Sequence, residues 1–332
     1  MTKRFFYLPT VLLCSIFLNC CDGSFDKHPP QLNTVPITLL DRKPNTEIRG
    51  IEWFPAQNLL FLAVSTFGTT NNGLSNIEHD ILTYIPGGTF EAYEAFVSDN
   101  GFRRKINDIA IQPTDTLTDF NRHFVAASSG RRTVYQANFN EELKILMAAA
   151  PSDHPSFNIA PEYLAVSSAG IVYFTGAQPR SLNRYFRMIS PSGELIEVSL
   201  GGIQHPGQLL LLEEEDKLYV VNILNSAVGT GLQNYDIWLY ELDEQGYPRN
   251  GKIVITTEEM ITGLAVDNSG NFLISHLSSL HIRDPDGILT SITTIDGRPS
   301  DIAIGGPNLN TLFITTIDGK LFSVALDGNN RH

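Results

Sequence analysis

The chain has 332 residues, of which 42% are hydrophobic and 18% charged, and its formal net charge is −13. This composition indicates a globular protein with a sizeable core, and the acidic surface excludes nucleic acid and anionic lipid headgroups as partners. The three cysteines are Cys14, Cys20 and Cys21, so the remaining chain can hold neither a disulfide framework nor a cysteine metal site.

Residues 1–21 have the features of an export signal. Lys3 and Arg4 precede an apolar run over residues 5–18, which is too short to span a bilayer. A cysteine at the end of such a run is similar to a bacterial lipoprotein signal, in which the thiol is lipidated and the leader is cut just before it. We expect Cys21 to be lipidated, with Cys20 as the alternative acceptor; an ordinary signal peptide with incidental cysteines is the other interpretation.

The segment that follows, residues 22–34, is polar and contains a Pro-Pro pair, so we interpret it as a flexible tether. The protein is then extracytoplasmic, in the cell envelope, and attached to a membrane only through its lipid. Residues 35–332 form one domain, which we expect to be a monomer.

Six repeats fill this domain. In each, an apolar strand, a turn and a second strand are followed by further strands separated by turns such as Pro-Gly-Gly and Pro-Asp-Gly. A period of this length built from strand pairs predicts an all-β fold, a six-bladed β-propeller with four antiparallel strands per blade. The first halves of the repeats span residues 50–64, 108–128, 163–176, 208–222, 263–276 and 301–316.

The last repeat, which ends at residues 320–328, is one strand short. Residues 35–42 have strand character and precede the first repeat. We therefore predict that this N-terminal strand pairs with the outer edge of the sixth blade and closes the ring.

Residues 262–315 resemble the senescence marker protein/gluconolactonase (SMP-30, regucalcin-like) family of six-bladed propellers. The string from Gly297 to Thr315 carries most of the resemblance, and Lys-Ile-Asn-Asp at 105–108 and the segment 236–255 support it. The resemblance implies a hydrolase of sugar lactones or related esters that uses one axial divalent cation, such as calcium or zinc.

The same resemblance implies three metal ligands and one substrate-binding asparagine. The glutamate ligand position falls on Arg49, the asparagine ligand on Gly207 and the aspartate ligand on Thr262, whereas Asn107 matches the substrate-binding position. A guanidinium in place of a carboxylate opposes a cation, so we expect no metal and no other cofactor on the axis.

The residues at the start of each innermost strand form a ring that faces the axial funnel. Arg49 and Lys105 favour a small anionic or polyhydroxyl ligand, and His205 is a further funnel candidate. Alternatively, Arg49 and Glu162 only pair with each other and plug the channel. The ring consists of Arg49, Asn107, Glu162, Gly207, Thr262 and Ser300.

Two other candidates for a metal site are weaker. Glu52 would replace the missing ligand only if the first repeat slipped, and Trp53 fixes its register. We interpret His276 and His281 as lone satisfied or solvated side chains, because their spacing matches no known zinc pair.

Three functions remain. The first is a secreted or lipid-anchored, lactonase-like propeller with a degenerate metal site that binds a small polar or anionic ligand in the funnel. The second is an active lactone or ester hydrolase with an altered site, and the third is a scaffold for protein partners. No catalytic residue can be assigned from the sequence.

Overall fold

The six repeats fold into six sheets of four antiparallel strands. The computed structural model describes residues 34–37, 46–55, 58–69, 75–86, 88, 90–92, 106–112, 123–128, 132–138, 143–147, 160–178, 183–212, 214–224 and 234–326. A short 3-10 helix at Pro307–Leu309 interrupts the strands, and no described segment forms a helix long and apolar enough to cross a bilayer. The prediction of an all-β, six-bladed propeller is confirmed.

Within each sheet the strands follow one another in sequence from the axis outward, except at the outer edge of the sixth. The first three sheets contain β2 (Thr46–Phe54), β3 (Leu59–Thr69), β4 (Ser75–Tyr84) and β5 (Phe90–Ala92); β6 (Asp108–Ile111), β7 (His123–Ser128), β8 (Thr133–Asn138) and β9 (Leu143–Met147); and β10 (Ala160–Val166), β11 (Val172–Ala177), β12 (Arg184–Ile189) and β13 (Leu195–Glu197). The last three contain β14 (Pro206–Leu211), β15 (Lys217–Leu224), β16 (Asn234–Leu242) and β17 (Pro248–Thr257); β18 (Gly263–Val266), β19 (Phe272–Ser275), β20 (Ser279–Arg283) and β21 (Leu289–Thr294); and β22 (Pro299–Gly305), β23 (Thr311–Thr316), β24 (Leu321–Ala325) and β1 (Thr34–Ile37).

The sixth sheet takes its outer strand from the other end of the chain. Strand β1 pairs antiparallel with β24, with Thr34 opposite Val324 and Ile37 opposite Leu321. Residues 38–42, the rest of the strand expected from the sequence, lie outside the described residues. The pairing places the two ends of the domain in one sheet.

The core lies between neighbouring sheets. Side chains alternate along a strand, so an innermost strand sends one set of residues to the preceding sheet and the other set to the next. Ile109 and Ile111 pack toward the first sheet, whereas Ala110 packs toward the third. Six such apolar clusters, one at each junction, complete the ring.

The junction of the sixth sheet with the first is packed around Trp53. Its ring stacks on Phe313 with centroids 5.7 Å apart, and a Cβ atom added at Gly305 would lie 2.4 Å from the indole. Glycine is required there because the backbone of β22 touches the aromatic face. Loss of an aromatic side chain this deeply buried typically costs about 3–5 kcal/mol.

Candidate functional site

β-Bulges at the starts of the innermost strands position the ring residues. The strand register shifts between Ile48 and Gly50. Three other innermost strands, β10, β14 and β22, have a register shift within their first residues. A bulge leaves one residue unpaired and redirects its side chain. Arg49, Glu162 and Ser300 are the unpaired residues in the first, third and sixth sheets.

These side chains border a cavity on the axis with a volume of about 290 Å³. Its lining combines cationic, amide, hydroxyl and apolar groups, which suits a small polar ligand. The lining residues are Arg49, Asn107, Glu162, Tyr163, Met260, Thr262, Arg298, Pro299, Ser300 and Ile317. We call this cavity the axial pocket.

Five of the seven residues that we expected in the funnel line the axial pocket: Arg49, Asn107, Glu162, Thr262 and Ser300. His205 is absent from the lining, and its backbone N–H donates to Oδ1 of Asn222 at 3.1 Å. Lys105 lies outside the described residues.

The charged ring residues do not pair with each other, so the alternative in which Arg49 and Glu162 plug the channel is wrong. Nη2 of Arg49 lies 2.7 Å from Oε2 of Glu47 on the same strand, and Glu162 forms an ion pair with Arg184. Glu47 and Arg49 lie two residues apart near the start of β2. The carboxylate of Glu162 is therefore already balanced by a cation from its own sheet.

The hydroxyl groups of the pocket also hold the fold together. Ser300 donates to the carbonyl oxygen of Ile48 at 2.6 Å, which links the sixth sheet to the first. Oγ1 of Thr262 lies 3.0 Å from Oγ of Ser275. These oxygens have acceptor capacity left for a ligand, but they are fixed in place before one binds.

Arg298 and Tyr163 are pocket residues that the sequence reasoning missed. Arg298 is exposed, and its Nη2 lies 3.9 Å from Sδ of Met260. Desolvation and the charge of Glu162 raise the pKa of the Tyr163 phenol to about 12, so it stays a neutral donor. The sequence could have indicated Arg298, because it lies two residues before the ring residue Ser300 and directly precedes β22.

Below the pocket lies a layer of acid groups that bridge neighbouring sheets. Asp108 accepts a hydrogen bond from the backbone N–H of Leu164 at 2.7 Å, and Asp301 accepts one from Ile51 at 3.2 Å. Gln208 donates to Asp301 at 2.9 Å. Desolvation raises the pKa of Asp108 to about 7 and that of Asp301 well above its usual range.

Glu52 belongs to this layer. Its neighbours Ile51 and Trp53 pack toward the sixth sheet, so Glu52 extends from the other side of β2. Desolvation and the charge of Asp108 raise the pKa of its carboxyl group to about 8. Three carboxyl groups at this depth cannot all be ionised at neutral pH, because like charges repel strongly away from water.

The axial positions do not fit a divalent cation of the kind the family resemblance implies. Arg49 brings a positive charge, Gly207 has no side chain, and the Thr262 hydroxyl contacts Ser275. Hard cations take six or more oxygen ligands, and the protein's share comes from carboxylate and carbonyl groups. Of the described residues that line the axial pocket, one is a carboxylate, Glu162, and it is paired with Arg184.

His276 and His281 are neither lone nor solvated, contrary to the expectation from their spacing. Both are buried, with relative exposures of 1% and 5%, and their ring centroids are 4.2 Å apart. His276 follows the end of β19 and His281 lies in β20, so the turn between the two strands brings them together.

Comparisons with known proteins agree with this architecture. The chain is similar to a gluconolactonase from Xanthomonas campestris, at 18% identity over 90% of this chain and 94% of that one, with a TM-score of 0.63. It is also similar to a calcium-binding protein, regucalcin, from Agrobacterium tumefaciens, at 13% identity over 89% and 94% of the two chains, with a TM-score of 0.63. A virginiamycin B lyase from Staphylococcus aureus is 11% identical over 89% of this chain and all of that one, with a TM-score of 0.56.

At these identities the solved structures share the fold alone. The search of curated proteins gave no match. The profile of the SMP-30/gluconolactonase/LRE-like region matches residues 116–318, which is more than half of the sequence. The chain therefore belongs to the SMP-30/gluconolactonase/LRE-like family.

Proposed function

We propose that this protein is a binding member of the family, which holds a small anionic, polyhydroxyl ligand in the axial pocket without an axial cation. It works as an extracytoplasmic monomer, anchored to a membrane by a lipid on Cys21. One observation carries the proposal: Arg49 and Arg298 line the pocket, and Glu162, the one carboxylate that lines it among the described residues, is paired with Arg184.

The charges around the pocket support an anion. Arg49 shares its charge with Glu47, whereas the exposed guanidinium of Arg298 lies beside the thioether of Met260, which brings no charge. A planar guanidinium binds a carboxylate with two parallel hydrogen bonds, which gives both affinity and orientation.

The remaining lining supports a ligand with several hydroxyl groups. Asn107 offers an amide, Thr262 and Ser300 offer hydroxyl oxygens, and Tyr163 offers a phenol. Pro299 and Ile317 supply apolar surface for the carbon skeleton. A sugar acid presents these features together, because it has one carboxylate and a row of hydroxyls.

The test compares sugar acids with neutral sugars. We expect gluconate, glucarate and galacturonate to bind more tightly than glucose and galactose in isothermal titration, and Arg298→Gln to weaken sugar-acid binding about tenfold, the value of one charge-assisted hydrogen bond. Arg249→Gln is the matched control, because Arg249 is an exposed arginine paired with Asp243 on the fourth sheet. Equal binding of acids and neutral sugars, or no loss in Arg298→Gln, would contradict the proposal.

A further inference from the structure

A second group of polar side chains lies in the fifth sheet, beside the axial pocket. Glu259 is in the loop between β17 and β18, His276 follows β19, and His281 is in β20. One ligand-capable atom of each lies within 4.8 Å of the other two. Among the described residues, no other three His, Cys, Asp or Glu side chains meet this condition.

The spacing of the three groups is wider than a hydrogen bond. Oε2 of Glu259 lies 3.7 Å from Nδ1 of His276 and 3.6 Å from Nε2 of His281. Two ligands of a tetrahedral zinc ion with bonds near 2.0–2.1 Å are about 3.3 Å apart, so each of the two Glu259–histidine distances is within a few tenths of an ångström of that spacing. Nδ1 of His276 also lies 3.1 Å from the carbonyl oxygen of Met260, which is a hydrogen-bond distance.

The two imidazoles are buried without a full set of partners. Nε2 of His276 and Nδ1 of His281 have no hydrogen-bond partner among the described residues. Desolvation lowers the pKa of both rings, that of His276 to about 4, so both are neutral at pH 7. A neutral imidazole has one lone pair, on the ring nitrogen that carries no proton. Buried imidazoles are normally satisfied, but these open nitrogens are not the ones nearest Glu259. Nδ1 of His276 and Nε2 of His281 face its carboxylate, and they contact the carbonyl oxygen of Met260 at 3.1 Å and Oγ of Ser279 at 3.2 Å. An ion bound by all three groups would replace these two contacts, and the ring protons would then lie on Nε2 of His276 and Nδ1 of His281.

We propose that Glu259, His276 and His281 form a binding site for one divalent transition-metal ion, separate from the axis. Two neutral imidazole nitrogens and a carboxylate oxygen are the donor set that proteins use for zinc and for neighbouring transition metals, whereas calcium and magnesium prefer oxygen alone. The Glu259 side chain is 56% exposed, so the ion can enter from solvent. This inference goes beyond the proposed function and does not depend on it.

Two neighbouring residues, Arg283 and Met260, affect the site. The positive charge of Arg283 acts on both imidazoles and opposes a cation bound to them. Met260 contacts His276 through its backbone and lines the axial pocket. A metal here would therefore stiffen one wall of the pocket without contacting a ligand on the axis.

The experiment is a titration of the full chain with zinc chloride, measured by isothermal calorimetry. Cys14, Cys20 and Cys21 are replaced by serine in every protein, because thiolates bind zinc on their own account. We expect one zinc per chain, no saturable calcium binding at these residues, and zinc-induced shifts of two histidine ring signals in NMR spectra. Glu259→Gln and His281→Asn should each weaken zinc binding by about 100-fold, and Arg283→Gln should tighten it.

Glu258→Gln is the matched control, because Glu258 is an exposed neighbour of Glu259 outside the cluster. Glu259 is itself exposed, so its variant tests the site even if a histidine variant fails to fold. Absence of saturable zinc binding by the parent protein, or unchanged affinity in Glu259→Gln, overturns the proposal. An equal loss in Glu258→Gln overturns it as well, since zinc would then bind a diffuse acidic surface.

Discussion

Replacing Glu52 with glutamine should stabilise the protein at alkaline pH and leave its stability at acidic pH nearly unchanged. The pKa of Glu52 is raised from 4.5 to about 8 in the folded state. The folded protein therefore holds this proton more tightly than the unfolded chain, so stability is highest below pH 4.5 and falls as the pH rises toward 8. Glutamine removes the ionisation and keeps the size of the side chain.

The magnitude follows from the shift. Each pKa unit corresponds to about 1.4 kcal/mol, which sets an upper limit of about 5 kcal/mol. Glu52 keeps partial contact with solvent, which screens its charge, so we expect about 2 kcal/mol of added stability in Glu52→Gln at pH 8.5 and about zero at pH 5.

Urea unfolding at the two pH values measures this directly, because the midpoint and slope give the free energy of unfolding. Glu244→Gln is the control, since Glu244 is exposed on the fourth sheet. If Glu52→Gln and the parent protein lose stability equally between pH 5 and pH 8.5, Glu52 is ionised in the folded protein without cost, and the account of a buried acid layer is wrong.

Four further predictions concern the N-terminal region and the axis. Truncation before Ile48 removes β1 from the edge of β24, so the free energy of unfolding should fall by several kcal/mol; a truncated protein that melts with the parent would show that the pairing adds nothing. If the proposed lipid on Cys21 anchors the protein, Cys21→Ser should move it from the membrane fraction to the soluble extracytoplasmic fraction; release by Cys20→Ser alone would identify Cys20 as the acceptor. The parent protein should not hydrolyse gluconolactone at a calcium-dependent rate, and metal-dependent turnover that Asn107→Ala abolishes would favour the hydrolase alternative. Calcium affinity on the axis should appear only when three oxygen ligands are restored together, as Arg49→Glu, Gly207→Asn and Thr262→Asp.

The sequence was informative where a pattern repeats. The period of the strand pairs gave six sheets, and the alternation of Ile51, Glu52 and Trp53 gave the face of β2 that packs on the sixth sheet. The ring of axial residues could be listed from the same register. Each of these features follows from the alternation of side chains along a strand, which can be read from consecutive residues of the sequence.

Contacts between elements were beyond this reasoning. Arg49 pairs with Glu47, two residues earlier on β2, and Glu162 pairs with Arg184 from the third strand of its sheet. His276 and His281 face the same carboxylate only because a tight turn joins β19 to β20. Such pairings depend on register shifts and loop paths that a single sequence does not encode in a readable pattern.

The axial pocket is the centre of the account, and a crystal structure with gluconate and manganese present together tests it most directly. We expect electron density for gluconate in the axial pocket, with its carboxylate on Arg298, and no anomalous manganese signal on the axis. A manganese peak on the axis coordinated by residues of the ring, with gluconate absent or bound through the metal, would contradict the account and show that the family's metal site persists in a different set of ligands.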